Sequence, residues 1–169
     1  PYMYMVETLR PNMNVDSTPE YVKYIFMDNL MMNVYPSKPE TYNGSALISE
    51  YPEFSAAVKT CAALRQQYLS YFADGLTISD TAVDGDIPCR VSGYFDREKK
   101  SFLMVVYKYN DTDAAIPFDL SYFTDAASHT WTITNEDAKL VASGEMGARG
   151  EITVSGEKSR LYMIEIKAK

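Results

Sequence analysis

The residues whose chemistry is easiest to name are acids at the ends of apolar runs. The chain opens with PYMYMVE, and Glu7 stands at the C-terminal end of that run, the place where a barrel strand presents a reacting group. A carboxylate there can serve as general acid, general base or nucleophile when neighbours tune its charge state; as a solvated strand end it does none of these. Asp16 and Glu20 flank one helix start, and Glu50 and Glu53 another, positions where the helix dipole favours negative charge. His129 is the single histidine. A metal centre of several imidazoles is therefore excluded, and on a strand two residues before Trp131 the ring reads as structural. Cys61 and Cys89 are too few for a disulfide scaffold and lack zinc-ligand spacing, so they read as free, buried thiols. Gly144, Gly147 and Gly150 in SGEMGARGE fall between expected strands and open no helix, which removes the context a phosphate-binding loop needs.

These groups have to be held by one domain, or by a small domain with an extension. A chain of 169 residues buries a working core but falls short of a complete eight-stranded α/β barrel, which takes about 250 residues. Its 46% hydrophobic and 23% charged content is that of an ordinary globular protein. No window approaches the roughly 20 apolar residues of a membrane-spanning helix, so no membrane partner is expected. A net charge of -7 speaks against nucleic acid, which is bound through clustered cations; the REKK cluster at Arg97–Lys100 reads as a solvated turn. The start at Pro1, with neither an initiator Met nor a leader, is expected of a processed product or a piece of a longer chain. A soluble chain is expected, and a secreted or periplasmic setting stays open. Asn43-Gly44-Ser45 and Asn110-Asp111-Thr112 match the glycosylation acceptor pattern and read as polar turns.

Periodicity changes near Gly75. Ser17 or Thr18 caps a helix that starts at Pro19 and runs to about Asn33, with an apolar face broad enough to need neighbours on more than one side. Residues 34–52 follow as a long, proline-containing loop, of a kind that compact domains keep mostly for function. A second helix runs from about Pro52 to Asp74, with Phe54, Ala57, Val58, Cys61, Leu64, Tyr68, Tyr71 and Phe72 on one stripe. Gly75 stops it. Beyond that the period falls to two. CRVSGYFD sets Cys89, Val91 and Phe95 on one face; FLMVVYKYN is apolar on both faces and belongs in the middle of a sheet. IPFDLSYF places Ile116, Phe118, Leu120 and Tyr122 on one side, HTWTIT alternates Trp131 and Ile133, and KLVASG, GEITVSG and RLYMIEIKAK complete seven or eight short strands. The expected fold class is α+β: a helical segment over 1–75, then an antiparallel β-sandwich over 76–169.

The order of a late helix ending in Gly and a following all-β domain resembles the tail of glycoside hydrolases of the α-glucosidase, α-galactosidase and α-amylase-like kind. In these a late helix often carries LR, two or three residues, then LxPY; Leu64-Arg65-Gln66-Gln67-Tyr68-Leu69-Ser70-Tyr71-Phe72 is similar, with Ser70 in place of the Pro. The stretch NVYPSKPETYNGSALISEYPEFSAAVKTCAALRQQYL resembles the last barrel loop leading into that helix. The resemblance implies an accessory region of a glycosidase, with residues 1–75 as the end of the barrel and the helix over about 53–74 at the barrel–sandwich interface.

Glycoside hydrolysis uses two carboxylates about 5 to 5.5 Å apart for retention and farther apart for inversion. Glu7 is the candidate for one; no residue stands out as the other, so the chain alone is expected to be inactive. Glu40, Tyr42 and Asn43 in the long loop are candidates to line a sugar subsite by hydrogen bonding and stacking. No cofactor is expected. The partners are the rest of a parent polypeptide or another chain, and carbohydrate. Two other classes fit the same sequence. Fourteen tyrosines, seven phenylalanines and one tryptophan suit a carbohydrate-binding module using one sandwich face, although sheet packing explains Tyr107, Tyr109 and Tyr122 equally well. A structural or assembly domain whose helices pack on another chain is the third reading.

Overall fold

In a computed structural model of the chain, residues 52–78, 82–85, 87–108, 110–156 and 160–169 are described. The expected helix from Pro19 and most of the loop after it lie outside these residues. The chain divides into two compact units, 1–66 and 67–169.

Helix α1 (Pro52–Gln67), which belongs to the first unit except for its last residue, starts on a proline, whose missing N–H costs nothing in the first turn. Cys61 and Leu64 are buried, while Lys59, Ala62 and Ala63 are exposed, in keeping with the three- and four-residue spacing of the stripe. The helix does not continue unbroken to Asp74. Tyr68 leaves helical geometry at φ -108°, ψ 21°, and a separate helix, α2 (Leu69–Asp74), follows. The spacing of Leu64, Tyr68, Tyr71 and Phe72 runs straight through the break, so periodicity carries no sign of it. Gly75 does end α2, but in an extended conformation rather than a left-handed one. Its N–H bonds the carbonyl of Tyr71 at 3.0 Å, and a Cβ on residue 75 would fall on that same carbonyl. Close approach is what requires glycine here.

The second unit is an antiparallel β-sandwich of unequal layers. Strands β1 (Leu76–Thr77), β2 (Cys89–Asp96), β3 (Ser101–Lys108), β8 (Leu161–Ala168), β5 (Ser128–Asn135) and β6 (Leu140–Gly147) form a six-stranded sheet in that spatial order. β4 (Ala114–Asp119) and β7 (Arg149–Val154) form the facing pair, and residues 82–84 lie along β4 through Asp84 N to Pro117 O and Asp119 N to Ala82 O. With the helical segment before it, the fold is α+β. The sheet positions follow from side-chain character. β3 is buried at every position except Tyr107, which is half-buried, and takes a central place between β2 and β8, as a strand apolar on both faces must. The Asp96 carboxylate accepts the N–H groups of Glu98 and Lys99, turning the exposed 97–100 loop from β2 into β3.

One core fills the space between the layers. Val91, Phe95, Phe102, Met104, Ile133, Ile164 and Ile166 from the large sheet meet Ile116, Phe118, Leu120, Ile152 and Val154 from the small one, each fully buried side chain contributing about 1.5–3 kcal/mol. Two expectations need correction. Tyr122 does not continue the inward row of β4: the strand ends at Asp119, the chain turns as Phe123 N and Thr124 N bond the carbonyl of Leu120, and Phe123 packs on the core in its place. The glycine-containing stretch SGEMG is not a connection but the second half of β6. Gly144 lies opposite Trp131, whose indole fills the space a side chain would take.

Candidate functional site

Alternation gives the large sheet a second face, turned away from the core. It carries Tyr94 from β2, Ser101, Leu103 and Val105 from β3, and Leu161, Met163, Glu165 and Lys167 from β8; β5 adds Thr130, Thr132 and Thr134. Of these, Tyr94, Ser101, Leu103, Val105, Leu161, Met163 and Thr134 are buried. Such burial on both sides is unusual for an antiparallel sheet with one solvated face and marks this face as structural ground.

Within the second unit two tyrosines near its beginning, Tyr68 and Tyr71, hold this face. Tyr68 Oη donates to Thr134 Oγ1 at 2.8 Å. Tyr71 Oη lies 2.8 Å from Ser101 Oγ and 2.9 Å from Glu165 Oε1. A phenol has one proton, and the carboxylate can only accept, so Tyr71 donates to Glu165 and receives the Ser101 proton. Phe72 packs edge-on against Tyr94, with ring centroids 5.2 Å apart. Burial pushes the phenols of Tyr68 and Tyr71 above the ordinary tyrosine pKa, most strongly at Tyr71, where the nearby Glu165 charge adds to the effect. Both groups therefore stay protonated and act as fixed hydrogen-bonding groups. Toward the C-terminal end of β8 and across to β6 the face carries ion pairs: Lys167 with Glu165 at 2.8 Å, and Lys169 with Glu145.

A second polar cluster lies at one end of the strands. Lys108 is buried, donates from Nζ to the carbonyl of Ser155 at 2.6 Å and lies 5.8 Å from the centre of the Tyr162 ring; Tyr162 Oη donates to the same carbonyl. Burial lowers the Lys108 amine pKa, against the pull of Asp113 and Asp111. Burial raises the thiol pKa of its cross-strand partner Cys89, so this cysteine stays a packed thiol rather than a nucleophile. The Gly156 N–H bonds the Asp113 carboxylate. Every member found here has a packing or hydrogen-bonding task.

Three of the described acids, Asp96, Asp119 and Glu165, are committed to hydrogen bonds and ion pairs. A general acid needs its carboxyl pKa raised, whereas Asp96 is pushed down, chiefly by the Lys99 backbone N–H, and Asp119 chiefly by the Ser121 hydroxyl. Glu165 is occupied by Tyr71 and Lys167. Among the described residues no three of His, Cys, Asp and Glu are gathered as a metal site. His129 is fully buried in the core layer, edge-on to Phe102 at 6.5 Å, the structural place expected for it. Cys61 and Cys89 are buried and not joined in a disulfide. Asn110 accepts hydrogen bonds from the Thr112 N–H and hydroxyl, which makes its acceptor-like tripeptide a polar turn. Glu7, Glu40, Tyr42 and Asn43 lie outside the described residues, as do Asp16, Glu20 and Glu50. The tyrosine contacts to the sheet were not anticipated; their one signal in sequence is two tyrosines on the helix stripe where aliphatic residues would serve packing equally.

No family model matches this sequence, and no curated protein matches it. Solved structures do. A glycoside hydrolase family 5 protein from Bacteroides vulgatus aligns with 98% of this chain at 12% identity and a TM-score of 0.56, over 40% of its own length. A protein described as a glycoside hydrolase aligns with 83% at 13% identity and a TM-score of 0.55, over 32% of its length. A noncanonic maltogenic α-amylase, AmyB from Thermotoga neapolitana, aligns with 88% at 17% identity and a TM-score of 0.53, over 37% of its length. The chain thus shares its fold with part of each of these glycoside hydrolases and spans about a third of their length. No helix among the described residues is long and apolar enough to cross a membrane.

Proposed function

We propose that this chain is the C-terminal accessory region of a glycoside hydrolase-like protein, in which residues 1–75 close a catalytic barrel and residues 76–169 form a β-sandwich that stabilises it. One observation carries the reading: Tyr68 and Tyr71, from the helical segment, are hydrogen-bonded into the outer face of the large sheet at Thr134, Ser101 and Glu165. A helix fastened to a sandwich in this way makes the β-domain a brace for what precedes it in the chain. Its likeness in fold to about a third of several glycoside hydrolases supports the same reading. The partners are then the remainder of the longer polypeptide and, through it, carbohydrate.

Glu7 is one acid of the reaction in this reading, and Glu40, Tyr42 and Asn43 line a sugar subsite. Since hydrolysis takes two placed carboxylates and Glu7 is the one candidate in this reading, the 169-residue chain alone is inactive. Incubation with a set of aryl glycosides tests this. Release of aglycone by the isolated chain, lost in Glu7→Gln, would overturn the accessory reading; no release, together with a lower melting temperature of the longer polypeptide when Tyr71 is changed to Phe, is the expected result.

A further inference from the structure

The turn that removes Tyr122 from the core leaves it 87% exposed, the most exposed large aromatic among the described residues. It is not loosely held. Its ring stands edge-on to Phe123, centroids 5.3 Å apart at 82°, and Phe123 is wedged against Phe95 and Phe102. Two backbone bonds to the carbonyl of Leu120 fix the turn, and Leu120 N is itself tied to Ala148 O at the β6–β7 corner.

The same segment, 119–122, orients a carboxylate and, through it, a guanidinium. Asp119 Oδ1 accepts the Ser121 N–H and the Ser121 hydroxyl, and Asp119 Oδ2 accepts Nε of Arg149 at 2.9 Å. Asp119 and Arg149 are cross-strand partners on the side of the small sheet away from the core. Arg149 engages through Nε while its side chain is 77% exposed, so its terminal nitrogens face solvent.

We propose that Tyr122, Asp119 and Arg149 form a surface subsite for a neutral polysaccharide. The three supply what a hexose presents: an aromatic face for the apolar side of the ring, and a paired acceptor and donor for adjacent hydroxyls. A turn fixed before binding loses little entropy when the sugar arrives. The net charge of -7 disfavours an acidic polymer. A polymer offers this one platform many equivalent rings, a statistical gain in occupancy that a free monosaccharide lacks. The inference rests on the carbohydrate reading above but not on any catalytic role for Glu7.

Affinity electrophoresis of the 169-residue chain tests it, in gels containing soluble starch, a mixed-linkage β-glucan, galactomannan, or dextran sulfate as the charged control. Retardation in at least one neutral gel is expected, weakened at least about fivefold by Tyr122→Ala, retained by Tyr122→Trp and reduced by Arg149→Ala. Leu140→Ala, an exposed change elsewhere, should migrate as the parent does. Equal retardation of the parent and Tyr122→Ala would overturn the subsite while leaving carbohydrate binding in place. Retardation by dextran sulfate alone, or by no polymer, would overturn the subsite too, and neither result bears on the aryl glycoside and melting tests of the accessory role. Melting curves of each variant distinguish loss of binding from loss of fold.

Discussion

Tyr71 and Glu165 are joined by a 2.9 Å hydrogen bond from phenol to carboxylate, with Ser101 completing the phenol and Lys167 the acid. The bond ties α2 to the centre of the large sheet, through a residue that alternation alone would place among aliphatic neighbours. Hydrogen bonds to charged groups contribute roughly 1.5–3 kcal/mol, and the remaining partners of Glu165 put this one at the low end. Tyr71→Phe should cost about 1–2 kcal/mol in urea unfolding. In a double-mutant cycle with Glu165→Gln, a coupling of about 1 kcal/mol is expected; strictly additive losses would mean the two groups do not act on one another.

The same phenols set an alkaline limit. Tyr68 and Tyr71 have raised pKa values, from burial first, so the folded chain keeps protons that the unfolded chain releases, and stability falls as pH rises. The contribution is complete below the ordinary tyrosine value of 10.0 and is lost above it. Lys108 has the opposite sign: its lowered pKa makes stability rise toward the ordinary lysine value of 10.5 and then level off. The buried Cys89 thiol, raised from its ordinary value of 9.0, has the sign of the tyrosines and opposes Lys108 above about pH 9; the unfolding free energy should then fall more steeply above about pH 10, by no more than about 1.4 kcal/mol per pH unit per tyrosine. Tyr68→Phe with Tyr71→Phe should flatten the fall. An unchanged slope in that double variant would remove the tyrosines as its cause.

Alternation read most of the sandwich because burial on one face has the period of the strand itself. CRVSGYFD is β2 from Cys89 to Asp96, and the two-sided apolarity of β3 gave its central position. Three features escaped it for identifiable reasons. The break at Tyr68 leaves helical spacing intact, so nothing in the pattern registers it. Tyr122 and Phe123 exchange roles because the Leu120 carbonyl closes a turn, a backbone event that one more aromatic in a row cannot signal. SGEMG passes for a connection because its glycines suit turns, whereas Gly144 serves β6 by leaving room for an indole on the opposite strand. The candidate sugar residues rest on a resemblance in the first 75 residues, and the described structure bears on the second part of the chain instead.

That indole makes Gly144 testable. A Cβ there would meet Trp131 Cζ2 at 2.5 Å, and overpacking of this kind costs about 1–3 kcal/mol. Gly144→Ala should lower the melting temperature and shift the emission of Trp131, the single tryptophan. Native emission with unchanged melting would show that the indole moves aside freely.

His129 offers a gain rather than a loss. The ring is fully buried, and neither Nδ1 nor Nε2 has a hydrogen-bond partner among the described residues, so two polar atoms give up solvation without return. Such a group costs about 1–3 kcal/mol, and replacing it with an apolar side chain of similar reach is neutral to stabilising. The cross-strand neighbour is Met146, and Phe102 stands edge-on, surroundings that accept an aliphatic residue. His129→Leu should unfold at a higher urea concentration than the parent, by an amount worth up to about 2 kcal/mol, with an unchanged m-value. Destabilisation by more than about 1 kcal/mol would mean that the imidazole makes a polar interaction in solution and that His129 belongs to a network rather than to the core alone.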